Sequence, residues 1–251
     1  MEPKALIIGG YGINADAELV QAFRLAGSRV DRLHVADLVA DPSLVREARI
    51  LAFPGGFSYG DHLGSGQVLA LLCRKTLRTA LEAFIADGGL VIGICNGFQA
   101  LVRMGVLPNR DGRWGREASL IQNKSGRFVD GWFPVNFETD SRCLWTKGLS
   151  ARHLPVRHGE GRFVARDEAT LDALESEGLV AVRYAQLDQG PNGSERGIAG
   201  ICDPSGRVFG LMPHPEAFLV RENHPARRRA SLDEPGVALF ANGVQAARDS
   251  S

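Results

Sequence analysis

Apolar positions along the chain fall into two alternating patterns. Short continuous runs, "KALIIG" near the N-terminus, "ARILAF" at 48–53 and "LVIGI" at 90–94, read as strands buried on both faces. Between them lie stretches with helical spacing. Residues 15–27 form one, ending at Gly27. Residues 66–86 form a second, carrying Val68, Leu71, Leu72, Leu77, Leu81 and Phe84. Residues 96–104 form a third. "SRVDRLHV" alternates and reads as a further strand. Strands alternating with helices predict an α/β fold with an open, mostly parallel sheet flanked by helices.

The second half is richer in strands. "GRFVDGWFPVNF", "LPVRH", "GRFVAR" and "LVAVRYA" alternate, with a helix expected at 167–177. "GIAGICDPSGRVFGLM" reads as two strands around a Pro-Ser-Gly turn, and a helix over 233–246 closes the pattern. There is no repeat and no linker composition, so a single domain over 1–251 is expected.

Composition narrows the function classes. The 29 basic residues balance 29 acidic ones, which leaves no electrostatic footprint for nucleic acid or an anionic membrane. "ARRRA" at 226–230 reads as a solvated loop. No apolar run reaches the roughly 18 residues of a membrane span, and the first residues lack a signal-peptide layout. Four cysteines, Cys73, Cys95, Cys143 and Cys202, have neither metal-ligand spacing nor disulfide density. A reducing, cytoplasmic setting without a bound metal is expected.

Of the four, Cys95 stands apart. It ends the strand "LVIGI" and opens the next helix, flanked by Gly93 and Gly97. "Gly93-Ile94-Cys95-Asn96-Gly97" has the form of a nucleophile elbow with Cys in place of Ser. The helix N-terminus favours a thiolate and offers the Asn96 N–H to a developing oxyanion. A small hydrophobe in tight strand–helix packing would read the same way from one segment, and for the other three cysteines that is the reading.

A thiol nucleophile needs a base, and the base an orienter. "His158-Gly159-Glu160" and "His214-Pro215-Glu216" each place a carboxylate two residues after a histidine, on the same side of an extended chain. Either could serve. Pro213 and Pro215 make the second the stiffer mount. His34, His153 and His224 have no adjacent orienter; His62 follows the glycine turn and could line a pocket. That turn, "Pro54-Gly55-Gly56-Phe57-Ser58-Tyr59-Gly60-Asp61", follows a strand, where adjacent glycines let backbone N–H groups approach a ligand. Sites of open α/β sheets lie beyond strand carboxyl ends, so segments ending at Phe53, Ile94 and Met212 could deliver turn, thiol and His–Glu pair to one edge. A competing signal is "Gly10-Tyr11-Gly12-Ile13-Asn14-Ala15" with Asp31 downstream, the outline of a dinucleotide fingerprint.

"PGGF", "GICNGFQ" and "PHPE", in this order, resemble the class I glutamine amidotransferases. "GGFSYGD", "NKSGRF", "HGEGRF", "NGSERGIAGI" and "GLMPHPE" extend the resemblance over about residues 5–246. They make it specific to the glutaminase-subunit family of phosphoribosylformylglycinamidine synthase, in purine biosynthesis. The resemblance implies a flavodoxin-like architecture. It implies that Cys95 attacks the side-chain amide of L-glutamine, that His214 shuttles the proton and that Glu216 orients His214. Gly55, Gly56, Phe57, Asn96 and Gln99 would supply the oxyanion hole and substrate contacts, with the N–H groups of Gly56 and Asn96 as donors. Ammonia would pass to an ATP-using synthetase subunit, with a small bridging subunit between them. ATP and magnesium would belong to that partner, with no cofactor in this chain. "HGEG" would lie outside the triad, near the partner contact or tuning the site. Two other readings are a stand-alone cysteine hydrolase on the same architecture and a non-enzymatic nucleotide-binding module built on "GYGINA".

Overall fold

The computed structural model describes residues 2–185, 190–228 and 236–250. The first half runs β1 (Lys4–Gly9), α1 (Asp16–Leu25), β2 (Arg29–His34), α2 (Val35–Ala40), β3 (Ile50–Phe53), α3 (Gln67–Thr76), α4 (Arg78–Ala86), β4 (Leu90–Ile94) and α5 (Asn96–Met104). The second runs β5 (Ala118–Gln122), β6 (Val129–Phe137), β7 (Arg152–His158), β8 (Glu160–Ala165), α6 (Glu168–Ser176), β9 (Val180–Tyr184), β10 (Ile198–Cys202), β11 (Val208–Leu211) and α7 (Val237–Asp249).

Nine strands form one sheet in the order β2-β1-β3-β4-β11-β10-β9-β6-β7. The contiguous strands β2, β1, β3, β4 and β11 pair in parallel. From β11 outward, β10, β9, β6 and β7 extend the sheet antiparallel. The apolar runs account for this arrangement: β3, β4 and β11 are buried at every position, as strands covered on both faces must be. Edge strand β2 alternates in sequence but is largely exposed. β5 pairs with β8 in a separate two-stranded sheet. The sequence reading missed β5, whose burial is only partial.

Helix α1 packs on α7, and α3 on α5. α5 is buried at eight of its nine positions, and its polar residues Asn96, Gln99 and Arg103 share one face at helical spacing. The single helix expected over 66–86 is two helices. Thr76 turns its hydroxyl back to the Leu72 carbonyl at 2.8 Å, and Leu77, at φ −106° and ψ −3°, departs from ideal helical torsions while burying its side chain fully. The short helix α2 carried too few residues to show a period. "ARRRA" and the expected start of the last helix fall partly outside the described residues.

Candidate active site

Cys95 stands between β4 and α5 at φ 52°, ψ −106°, a region an L-residue enters only when its surroundings enforce it. Gly97 is one enforcing feature. A Cβ there would lie 1.9 Å from the Phe53 carbonyl oxygen, so only glycine lets α5 start hard against the end of β3. Gly93 likewise has no room for a side chain between Leu101 and Gly97. As the first residue of α5, Asn96 has no intrahelical acceptor for its N–H. Its side chain ties the elbow to the glycine turn. Oδ1 accepts from the Ser58 N–H, and Nδ2 donates to Asp61 and to Gln99, each at 3.1 Å.

The glycine turn is held from the other side by "GYGINA". The Phe57 N–H donates to the Gly12 carbonyl at 2.8 Å, and the N–H groups of Asn14 and Ala15 donate to the Gly55 carbonyl. Gly56, at φ 148°, pairs with Ile13 so closely that a Cβ would meet Gly12, Ile13 and Asn14 below 3 Å. The dinucleotide-like glycines are therefore the bed on which the turn lies. The first turn of α1 carries Asp16 and Glu18, which would repel a phosphate, and Asp31 is taken up in an ion pair with Lys4 at 2.6 Å. The same bonds occupy the Phe57 N–H and leave the Gly56 N–H outside the bridge.

β3, β4 and β11 are neighbours in the sheet, so their carboxyl ends bring the turn, Cys95 and His214 to one edge. The His214 N–H donates to the Pro155 carbonyl at 2.8 Å, and its Nδ1 lies 2.6 Å from Glu216 Oε1. Both side chains are buried, and His214 Nε2 makes no hydrogen bond to a protein atom. Burial alone would lower the histidine's pKa. The Glu216 carboxylate and the neighbouring Cys95 outweigh it and raise the imidazole to about 10. Gly55 packs against this ring, where a Cβ would touch Cε1 at 3.0 Å.

Cys95, His214, Gly56, Phe57 and Gln99 line one cavity of about 310 Å³. Gln99 is anchored there: Oε1 accepts from Asn96, and Nε2 donates one hydrogen to the Glu160 carbonyl. The cavity wall also holds Asp61 of the glycine turn and the His158–Glu160 pair, both singled out in the sequence, and Asn14, Glu18, Ser65, Phe128 and Arg157, which were not read as part of this site. The "HGEG" segment is thus part of the wall. Cys95 Sγ is 3.7 Å from the Arg157 carbonyl, and Glu160 accepts from the Ser65 N–H at 3.2 Å. The segment's His–Glu spacing marked it in the sequence. His62 does not line the cavity; it is exposed, and its neighbour Asp61 faces inward instead. His34 caps α2, and His224 stacks edge-on against Trp132. Cys73, Cys143 and Cys202 are buried, and burial pushes the Cys73 thiol up to about 12. Among the described residues no cluster of His, Cys, Asp and Glu could hold a metal, and no helix is long and apolar enough to cross a membrane.

A family model, the CobB/CobQ-like glutamine amidotransferase domain, matches residues 2–245. The phosphoribosylformylglycinamidine synthase subunit PurQ of Dehalococcoides mccartyi is 42% identical, covering 98% of each chain. The subunit of the same name from Methanococcus maripaludis is 40% identical, covering 97% of each. Among solved structures, PurLQS from Thermotoga maritima aligns with a TM-score of 0.73 at 29% identity, over 98% of this chain and 99% of that one. The chain belongs to the PurQ family of glutamine amidotransferases, the glutaminase subunits of phosphoribosylformylglycinamidine synthase.

Proposed function

We propose that this chain, as one amidotransferase domain, hydrolyses L-glutamine through a thioester on Cys95 and hands the ammonia to an ATP-using synthetase subunit. The observation that carries the reading is a thiol held on a strained elbow, in one cavity with an imidazole that Glu216 grips at 2.6 Å. An imidazole raised to about 10 is protonated near neutral pH and stabilises a thiolate beside it.

The thiolate attacks the amide carbon, and the carbonyl oxygen takes the negative charge. The N–H groups of Gly56 and Asn96 are the donors for that oxyanion. His214 passes its proton to the leaving nitrogen, and ammonia departs. Water then attacks the thioester with His214 as base, releasing glutamate and restoring the thiol. Glu216 orients His214 throughout. Gln99 acts by fastening the "HGEG" strand to the elbow, and Phe57 by covering the mouth, where it is half exposed.

The ammonia's acceptor in this reading is formylglycinamide ribonucleotide on the synthetase subunit. That subunit binds ATP and magnesium, a small third subunit bridges the pair, and the assembly is cytoplasmic. The test is glutamate release by the purified chain, alone and with a synthetase partner supplied with ATP and formylglycinamide ribonucleotide. Low release alone, strong stimulation by the loaded partner and complete loss in Cys95→Ala are expected. Release that survives Cys95→Ala would remove the thioester route.

A further inference from the structure

A second histidine in the cavity wall has its protonation fixed by the fold. Asn123 donates both Nδ2 hydrogens to backbone carbonyls, of Arg127 at 2.9 Å and of His158 at 2.8 Å. Its Oδ1 is thereby the atom that faces His158 Nδ1 at 3.1 Å. An amide oxygen only accepts, so Nδ1 carries the hydrogen and Nε2 keeps a bare lone pair. The ring packs against Gly161, where a Cβ would come within 2.4 Å of Cε1, so only glycine leaves it this place, and the Asn123 contact holds its orientation. Nε2 is buried and has no protein partner, and the side chain lines the same cavity as Cys95 and His214. A buried acceptor held in one orientation and left without a donor calls for one from the cavity.

We propose that His158 touches the substrate: its Nε2 accepts a hydrogen bond from the side-chain amide N–H of glutamine, and afterwards from the ammonia cut from it. The assignment rests on the glutaminase reading. Once the Sγ–carbon bond has formed and the carbonyl oxygen holds the charge, that oxyanion collapses and the carbon–nitrogen bond breaks with its electron pair going to nitrogen. The proton held on His214 goes to the same nitrogen, which leaves as neutral ammonia. His158 orients that nitrogen but does not protonate it, because burial and the charge of His214 push its imidazole down to about 4. A glutamate carboxylate would set lone pair against lone pair here, so the contact selects amide over acid and favours product release.

The test compares glutamine with glutamate γ-methyl ester, whose leaving group has no N–H, in the chain assembled with its synthetase partner. His158→Leu should lower kcat/KM for glutamine about tenfold more than for the ester. His158→Gln, which restores an acceptor, should recover part of the difference. Both substrates are read on one preparation, so a partly folded variant cannot mimic the result. Equal losses on the two substrates would overturn the proposal. Should the variants not fold, 15N NMR of histidine in Cys95→Ala provides the second reading. The Nε2 resonance of His158 should move when glutamine saturates the site, and an unmoved resonance would overturn the proposal. Wild-type chain that releases no glutamate from glutamine would instead remove the glutaminase reading beneath it.

Discussion

His158 and His214 share one cavity yet are driven to opposite protonation states, and the contrast has consequences for stability. His158 falls from 6.5 to about 4 because burial and the positive His214 disfavour its charged form. Between those values the unfolded chain takes up a proton that the folded chain refuses. Its contribution is intact above pH 6.5 and is lost as pH falls through the window, by about 3 kcal/mol. His214 runs the other way: burial is outweighed by Glu216 and Cys95, so its contribution is full below pH 6.5 and is lost as pH rises toward 10. Urea denaturation of wild type and His158→Gln should therefore show the wild type losing ground as pH drops from about 7 to about 4.5. A stability difference independent of pH would mean that His158 titrates normally.

Among the elements, the glycine turn and α5 owe their alignment to one side chain. Asn96 bridges the Ser58 N–H, Asp61 and Gln99, each at 3.1 Å. Asn96→Ala keeps the backbone N–H assigned to the oxyanion while freeing the turn. It should cost about 1–3 kcal/mol and lower kcat/KM for glutamine. If the bed formed by residues 10–15 holds the turn unaided, neither quantity will move. The two halves of the expected long helix also differ at this scale. α3 packs on α5 behind the site, whereas α4 packs on the 3-10 turn at Pro42–Glu47, so the break at Leu77 lets one apolar stretch serve two surfaces.

Over the whole molecule, α7 returns the end of the chain to its beginning. Phe240 meets Phe23 edge-on at 5.2 Å, and Phe23 meets Trp145 at 6.3 Å. Gly243 passes over Trp145 where a Cβ would lie 2.2 Å from the ring. At the helix entrance, the Gly236 N–H donates to the Phe218 carbonyl at 2.6 Å, behind the segment that carries His214 and Glu216. Phe240→Ala removes the centre of this contact and should cost about 3–5 kcal/mol as a cavity. The urea midpoint should drop in one cooperative transition. A separate early transition would show α7 to be an independent unit.

What the sequence determined by itself was local. The elbow is legible because strand, Cys95, flanking glycines and helix lie within one short stretch, and apolar period reports burial and backbone torsion residue by residue. The stiff His214–Glu216 mount and the α/β alternation are legible for the same reason, and the family motifs named the chemistry. Only the tertiary structure decided which strand ends meet, because adjacency in a sheet follows from hydrogen-bond register between distant segments. β11 lies beside β4 although more than a hundred residues separate them. Shorter but still non-local separations hid the bed beneath the glycine turn, the place of "HGEG" in the cavity wall and the pairing of Asn123 with His158, which lie 35 residues apart. Periodicity gave each of these segments a strand or a loop; close packing and the satisfaction of buried polar groups gave them a common site.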